Sequence, residues 1–88
     1  RRYHPKERVL GITINGQHKA YPFKELALAG GTTLTDQFAG QTLSIEFDVP
    51  NRDGQIKDAN GKNLELVNGF WFAWYAFHPE TEVFSSGG

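Results

Sequence analysis

From Val9 onward the chain alternates. Leu10, Ile12 and Ile14 fall on one parity, and Val9, Gly11 and Thr13 fall on the other. A two-residue period is that of a β-strand with a buried face. Asn15-Gly16 ends the run. Both residues tolerate positive φ, and the pair is the strongest short signal for a type I′ hairpin. Such a turn sets Ile14 opposite Gln17, Ile12 opposite Lys19 and Leu10 opposite Tyr21. The other face then carries Thr13, Gly11, His18 and Ala20, and its small residues would let another element approach closely.

The stretch PFKELALAGG predicts a short helix over 22–29, opened by Pro22, whose missing N–H is unpaired in a first turn anyway. Phe23, Leu26 and Ala27 are expected inward, with Gly30 or Gly31 as the stop. Residues 32–49 read as two extended pieces around Ala39-Gly40. The second alternates Leu43, Ile45 and Phe47 with Thr42, Ser44, Glu46 and Asp48. Turn signals follow at Asp53-Gly54, Asn60-Gly61 and Asn68-Gly69. Segments 55–59 and 62–67 are predicted to form a second hairpin around Asn60-Gly61. Asn68 is placed as the N-cap of a helix over 69–77, ending at His78 because Pro79 disfavours helical φ/ψ in the residue before it. ETEVF adds a short last strand. The predicted fold class is α+β: a small curved antiparallel sheet (hairpin 9–21, strand 42–48, hairpin 55–67) packed against the aromatic helix 69–77 and the short helix 22–29.

The aromatic helix dominates the remaining questions, since Phe70, Trp71, Phe72, Trp74, Tyr75 and Phe77 crowd into one segment. On a helix, Phe70, Trp74 and Phe77 share a face, flanked by Trp71 and His78, while Phe72 and Tyr75 lie on another side. Two readings follow. The helix is central, covered by the sheet on one side and by the 22–29 helix or the N-terminal arm on the other. Alternatively, Trp71 or Tyr75 is partly exposed as a platform for a sugar ring, a peptide or the rest of a parent protein.

Composition narrows the chemistry. At 88 residues the chain is sized for one small domain, spanning 1–88. With no cysteine it has no disulfide or thiolate site, so packing must supply its stability. The net charge is -1, and the basic residues Arg1, Arg2, Lys6 and Arg8 are not continued into a stripe. Phosphate-backbone binding needs several converging cations, so nucleic acid is not an expected partner. No apolar stretch approaches the roughly 20 residues of a membrane span. The start at Arg1 and the Ser-Ser-Gly-Gly end are read as those of a portion excised from a longer protein.

No catalytic signature is present. His4, His18 and His78 are the only imidazoles and lie at no ligand spacing, so no metal or other cofactor is expected. NRDG and DANGKNLE resemble calcium loops only superficially, because their oxygen-bearing residues are out of register. Asp36, Glu46, Asp48, Asp53 and Asp58 include no evident convergent pair. Ser44, Ser85 and Ser86 lack a nucleophile-elbow context.

Three blocks carry a resemblance. ERVLGITINGQHKAYPFKEL (residues 7–26), TDQFAGQTLSIEFD (35–48) and FWFAWYAFHPETEVF (70–84) are similar to segments of the bacterial family catalogued as domain of unknown function 3179. Together they cover about half of the chain. Full-length members carry a cysteine-containing segment after the middle strand, and here Phe47-Asp48 runs directly into turns, so the chain resembles a short form. No redox or metal role of those cysteines transfers. The resemblance implies a bacterial, periplasmic or extracellular protein and names no activity. The resulting expectation is a non-catalytic structural or partner-recognition module. Its candidate binding residues are Trp71, Tyr75, His78 and His18, and its partners are other domains of a parent protein, a peptide or a glycan. The alternative is a fragment of a hydrolase or oxidoreductase, and polar residues converging in a cleft beside His78, His18 or Asp36 would favour it.

Overall fold

The computed structural model describes residues 3–87. The first alternation forms β1 (Arg8–Ile14), and Asn15 and Gly16, with φ of 52° and 76°, return the chain as β2 (Gln17–Pro22). The register pairs Leu10 with Tyr21, Ile12 with Lys19 and Ile14 with Gln17, as the tight turn requires. Pro22 is the last residue of β2 and the N-cap of α1 (Phe23–Ala29). A proline cap has no acceptor side chain, and Glu7 of the N-terminal arm serves instead, accepting the Lys24 N–H through Oε2 at 2.8 Å. Phe23 and Leu26 turn inward, whereas Ala27 is exposed.

β3 (Thr33–Phe38) and β4 (Gln41–Asp48) form the hairpin around Ala39-Gly40, and β5 (Asp53–Lys57) pairs along the other edge of β4. Asp53-Gly54 is not a turn. The chain reverses just before it, where Arg52 takes a φ of 52°, and Gly54 lies within β5. A Cβ there would meet the Glu46 carbonyl oxygen at 2.6 Å and Leu10 Cδ1 at 2.8 Å, so close approach of the two sheets explains this glycine better than turn chemistry. The 55–67 hairpin is also shorter than its turn signal implies. Lys57 bridges Asn63 and the Leu64 N–H donates to Ile56 O at 2.8 Å, after which the chain crosses to the other sheet.

There it forms β6 (Val67–Phe70), antiparallel to β1 with Gly69 opposite Val9. Asn68 is therefore a strand residue and not a helix cap. α2 (Trp71–Phe77) begins at Trp71, later than the predicted Gly69. The N-terminal arm satisfies its first donors: Trp71 N–H bonds Glu7 O at 2.7 Å and Phe72 N–H bonds Pro5 O at 3.0 Å. The helix stops at His78, before Pro79, with φ of -135°. β7 (Glu82–Val83) runs parallel to β2.

The α+β class holds, but the strands divide into two sheets, ordered β6-β1-β2-β7 and β3-β4-β5, rather than one curved sheet. The intervening α1 turns the chain away from β2, so β3 starts a sheet of its own. Leu10, Ile12 and Tyr21 on one sheet meet Leu43, Ile45 and Phe47 on the other, with Phe23 and Leu26 of α1 in the same core. A smaller core lies on the outer face of the first sheet, where Trp71 and Trp74 pack against Val9 and Ala20. Gly11 makes this layer possible: a Cβ on it would lie 2.5 Å from carbons of the Trp74 indole. Among the described residues no helix is long and apolar enough to cross a membrane.

One polar cluster bridges the two sheets. Asp36 Oδ2 on β3 accepts from Lys19 Nζ and from Tyr21 Oη, each at 2.6 Å. Lys19 is buried, with its ammonium 5.4 Å from the Tyr21 ring centroid and 5.9 Å from that of Phe38. Burial, then the hydrogen bond and charge of Asp36, push the Tyr21 hydroxyl pKa well above its ordinary value. A phenol held neutral in the fold but free to ionise when unfolded stabilises fully below its unfolded pKa of about 10, and that stability is lost as pH rises beyond it.

Three outcomes follow for chemical denaturation. Gly11→Val should destabilise by about 1–3 kcal/mol, because the indole must move; unchanged stability would show that Trp74 does not rest on β1. Asp36→Ala should cost about 3 kcal/mol by stranding the Lys19 ammonium. Tyr21→Phe should cost about 1 kcal/mol and flatten the loss of stability between about pH 9 and pH 11. An equally steep alkaline loss in Tyr21→Phe would remove Tyr21 as its source.

Candidate functional site

α2 packs its tryptophans on Val9 of β1 and Ala20 of β2 and leaves a strip beside Val67 and Gly69 of β6 open. The uncovered strip is a groove made of two adjoining hollows of about 350 and 270 Å³, which share Val67, Trp74 and His78. Strand parity explains the floor: Val9, Gly11 and Thr13 of β1 face outward together, beside Val67 and Gly69 of β6. One end of the groove is polar, with Thr13 and Glu65; the other is apolar, with Ala73, Phe70 and Phe77. Phe77 is 80% exposed and Phe72 54%. Phe70 stacks with Phe72 at 6.0 Å between ring centroids and lies under the Arg8 guanidinium at 5.5 Å.

The polar end holds a histidine pair. His18 of β2 and His78, the C-cap of α2, stack with centroids 3.8 Å apart and planes 24° apart. Trp74 supports both, 4.4 Å from His78 and 6.2 Å from His18. The indole is itself fixed by an Nε1–H bond to Thr81 Oγ1 at 3.0 Å. Thr13 Oγ1 and His18 Nδ1 share a hydrogen bond of 2.7 Å. Burial first, and the nearby His18 charge second, lower the His78 pKa, while Glu80 opposes them. No group of three or more His, Cys, Asp or Glu residues is placed to hold a metal ion among the described residues.

The four residues singled out from sequence separate into two pairs. His18 and His78 meet at the groove. Trp71 and Tyr75 lie on the opposite flank of α2, their ring centroids 5.2 Å apart and planes tilted by 30°, beside a hollow lined by Tyr3, Pro5, Trp71, Phe72, Tyr75 and Ala76. Trp71 is only 3% exposed and is covered edge-on by Tyr3 at 5.5 Å, so it offers no open ring face; Tyr75 is half-buried. The buried helix face carries Trp71 and Trp74, not Phe70, Trp74 and Phe77. Sequence reading missed Val67, Gly69, Ala73 and Glu65 as groove residues. Their one visible signal was the outward row of small residues on β1.

A separate open concavity of about 520 Å³ on the second sheet gathers Glu46, Asp48 and Asp53, with Asp48 opposite Asp53 in register. These carboxylates already serve local structure: Asp48 accepts from Asn51, Asp53 from the Gly54 N–H, and Glu46 from Gln55 and Lys57. No family model, curated protein or solved structure matches the chain.

Because the fold lowers the His78 pKa, its contribution to stability is complete above the ordinary imidazole pKa of about 6.5 and is lost as pH falls from there through the lowered folded value. NMR titration should place the His78 midpoint below that value. In His18→Phe, which keeps a ring but removes its charge, the midpoint should rise while remaining depressed, since burial is the larger cause. No rise would exclude His18 as a contributor.

Proposed function

We propose that this chain is a non-catalytic recognition module whose α2–β6 groove takes an apolar group of a partner. The exposed aromatic end of the groove carries this reading. Phe77 is 80% exposed beside Ala73, Val67 and Phe70, although a domain of this size has few large side chains to leave outside its core. Contiguous exposed apolar surface in a small domain is the mark of an interface. The polar end, where the Thr13 hydroxyl is bonded to His18 and the His18 ring is stacked on His78, limits where an apolar ligand can extend, and a hydroxyl beside an imidazole is the feature that favours the alternative of a hydrolase fragment. The partial resemblance to domain of unknown function 3179 is compatible with this reading and extends it to an envelope protein of bacteria, with the partner on another domain or polypeptide.

Amide-resolved NMR with indole as an apolar probe and a chitin oligosaccharide as a sugar probe tests the site. Indole should give saturable shifts gathered on Gly69, Ala73, Phe77 and His78, and Ala73→Gln should abolish them by filling the groove. Shifts scattered over the surface, or centred on the concavity around Phe47 and Gly54, would overturn the assignment. Shifts confined to Tyr75 with the oligosaccharide would replace it by a sugar site on the opposite flank.

A further inference from the structure

Resting on the groove as a recognition site, we infer that its occupant is an extended peptide that adds as a strand to β6 and carries a basic residue at the Glu65 end. β6 is the outer strand of its sheet among the described residues. The Trp71 N–H bonds Glu7 O, which fixes the alternation of the β1–β6 ladder. Gly69 and Val67 therefore aim their main-chain groups at β1, and Asn68 and the Phe70 N–H aim theirs away from it. Those outward groups carry no hydrogen bond among the described residues, and the Phe70 carbonyl is the one already engaged as the α2 cap. An unpaired strand edge beside an apolar groove is how extended peptides are captured: main-chain bonds hold the segment and alternate side chains enter the hollow.

Size and charge fit the same occupant. From Val67 to Phe70 the strand edge is about 10 Å long at about 3.3 Å per residue, and with Glu65 two residues before it the site suits a segment of about five residues. Neither hollow is lined by Lys or Arg, whereas Glu65 lines the polar end and Glu80 acts on His78 beside it. A neutral sugar would leave the strand edge unused. A flat apolar surface would reach the exposed rings but not the edge donors.

The test uses the full chain and the blocked peptide Lys-Val-Leu-Val-Thr, its mirror-order version Thr-Val-Leu-Val-Lys, the Lys-to-Glu forms of each, and forms N-methylated at alternate residues. At least one lysine peptide should shift groove amides, move the Asn68 and Phe70 amide protons downfield and slow their exchange. Charge reversal should weaken it about fivefold, and Glu65→Gln should weaken the lysine peptide but not its glutamate form. N-methylation on the edge-facing register should abolish binding. Groove shifts that survive every N-methylation, with unchanged Asn68 and Phe70 amides, would overturn strand addition and leave groove recognition standing. No shifts with any peptide would also overturn it, and the indole titration would then decide the groove separately. Concentration-dependent shifts of the same amides without peptide would assign the edge to a second copy of the chain and overturn the proposal.

Discussion

The Trp74 indole lies on the backbone of Gly11, and the outer half of the molecule depends on that contact. A β-strand with any side chain at this position would hold the helix away from the sheet by the width of that side chain. With glycine there, α2 settles onto β1 and β2, and Val9 and Ala20 close the small core around the two tryptophans. The same seat fixes the Trp74 ring as the support for His18 and His78, which makes the polar end of the groove. The two tryptophans pack on Val9 and Ala20, and Val67 and Gly69 of β6 line the groove that stays open beside the helix.

The aromatic residues consequently do two kinds of work. Trp71 and Trp74 supply the large buried surface that a domain with no disulfide needs. Phe70, Phe72 and Phe77 lie outside that core and shape the surface. The inner half of the molecule is held differently, by aliphatic packing between the sheets and by the Lys19–Asp36–Tyr21 cluster, which joins β2 to β3. Glu25 adds a third tie: its carboxylate accepts from Tyr3 of the arm and from Ser86 of the tail, drawing both ends of the described chain onto α1.

Local rules in the sequence were readable wherever the structure obeys them locally. Asn15-Gly16 marked the first hairpin, Ala39-Gly40 the break between β3 and β4, parity the buried faces of β1 and β4, and Pro79 the helix end. The errors lie where a distant partner decides. Asn68-Gly69 has the chemistry of a helix start, but its backbone pairs with β1, far away in sequence. Gly54 looks like turn chemistry and is instead clearance for the opposing sheet. In a helix this short and this rich in rings, several phases bury an aromatic stripe equally well. Gly11 and Ala20 on the opposing sheet choose Trp71 and Trp74. The meeting of His18 with His78 was likewise invisible, since it needs β2 and the end of α2 to be brought together by that seating.

Tryptophan fluorescence of a Trp71→Phe variant, which leaves Trp74 as the sole indole, measures the central contact most directly. If the Trp74 indole rests on Gly11, its emission is blue-shifted, quenched poorly by acrylamide in the folded protein and strongly once urea unfolds it. Red-shifted emission quenched as readily as free tryptophan in the folded state would contradict it, because the indole would then be in water and not on Gly11.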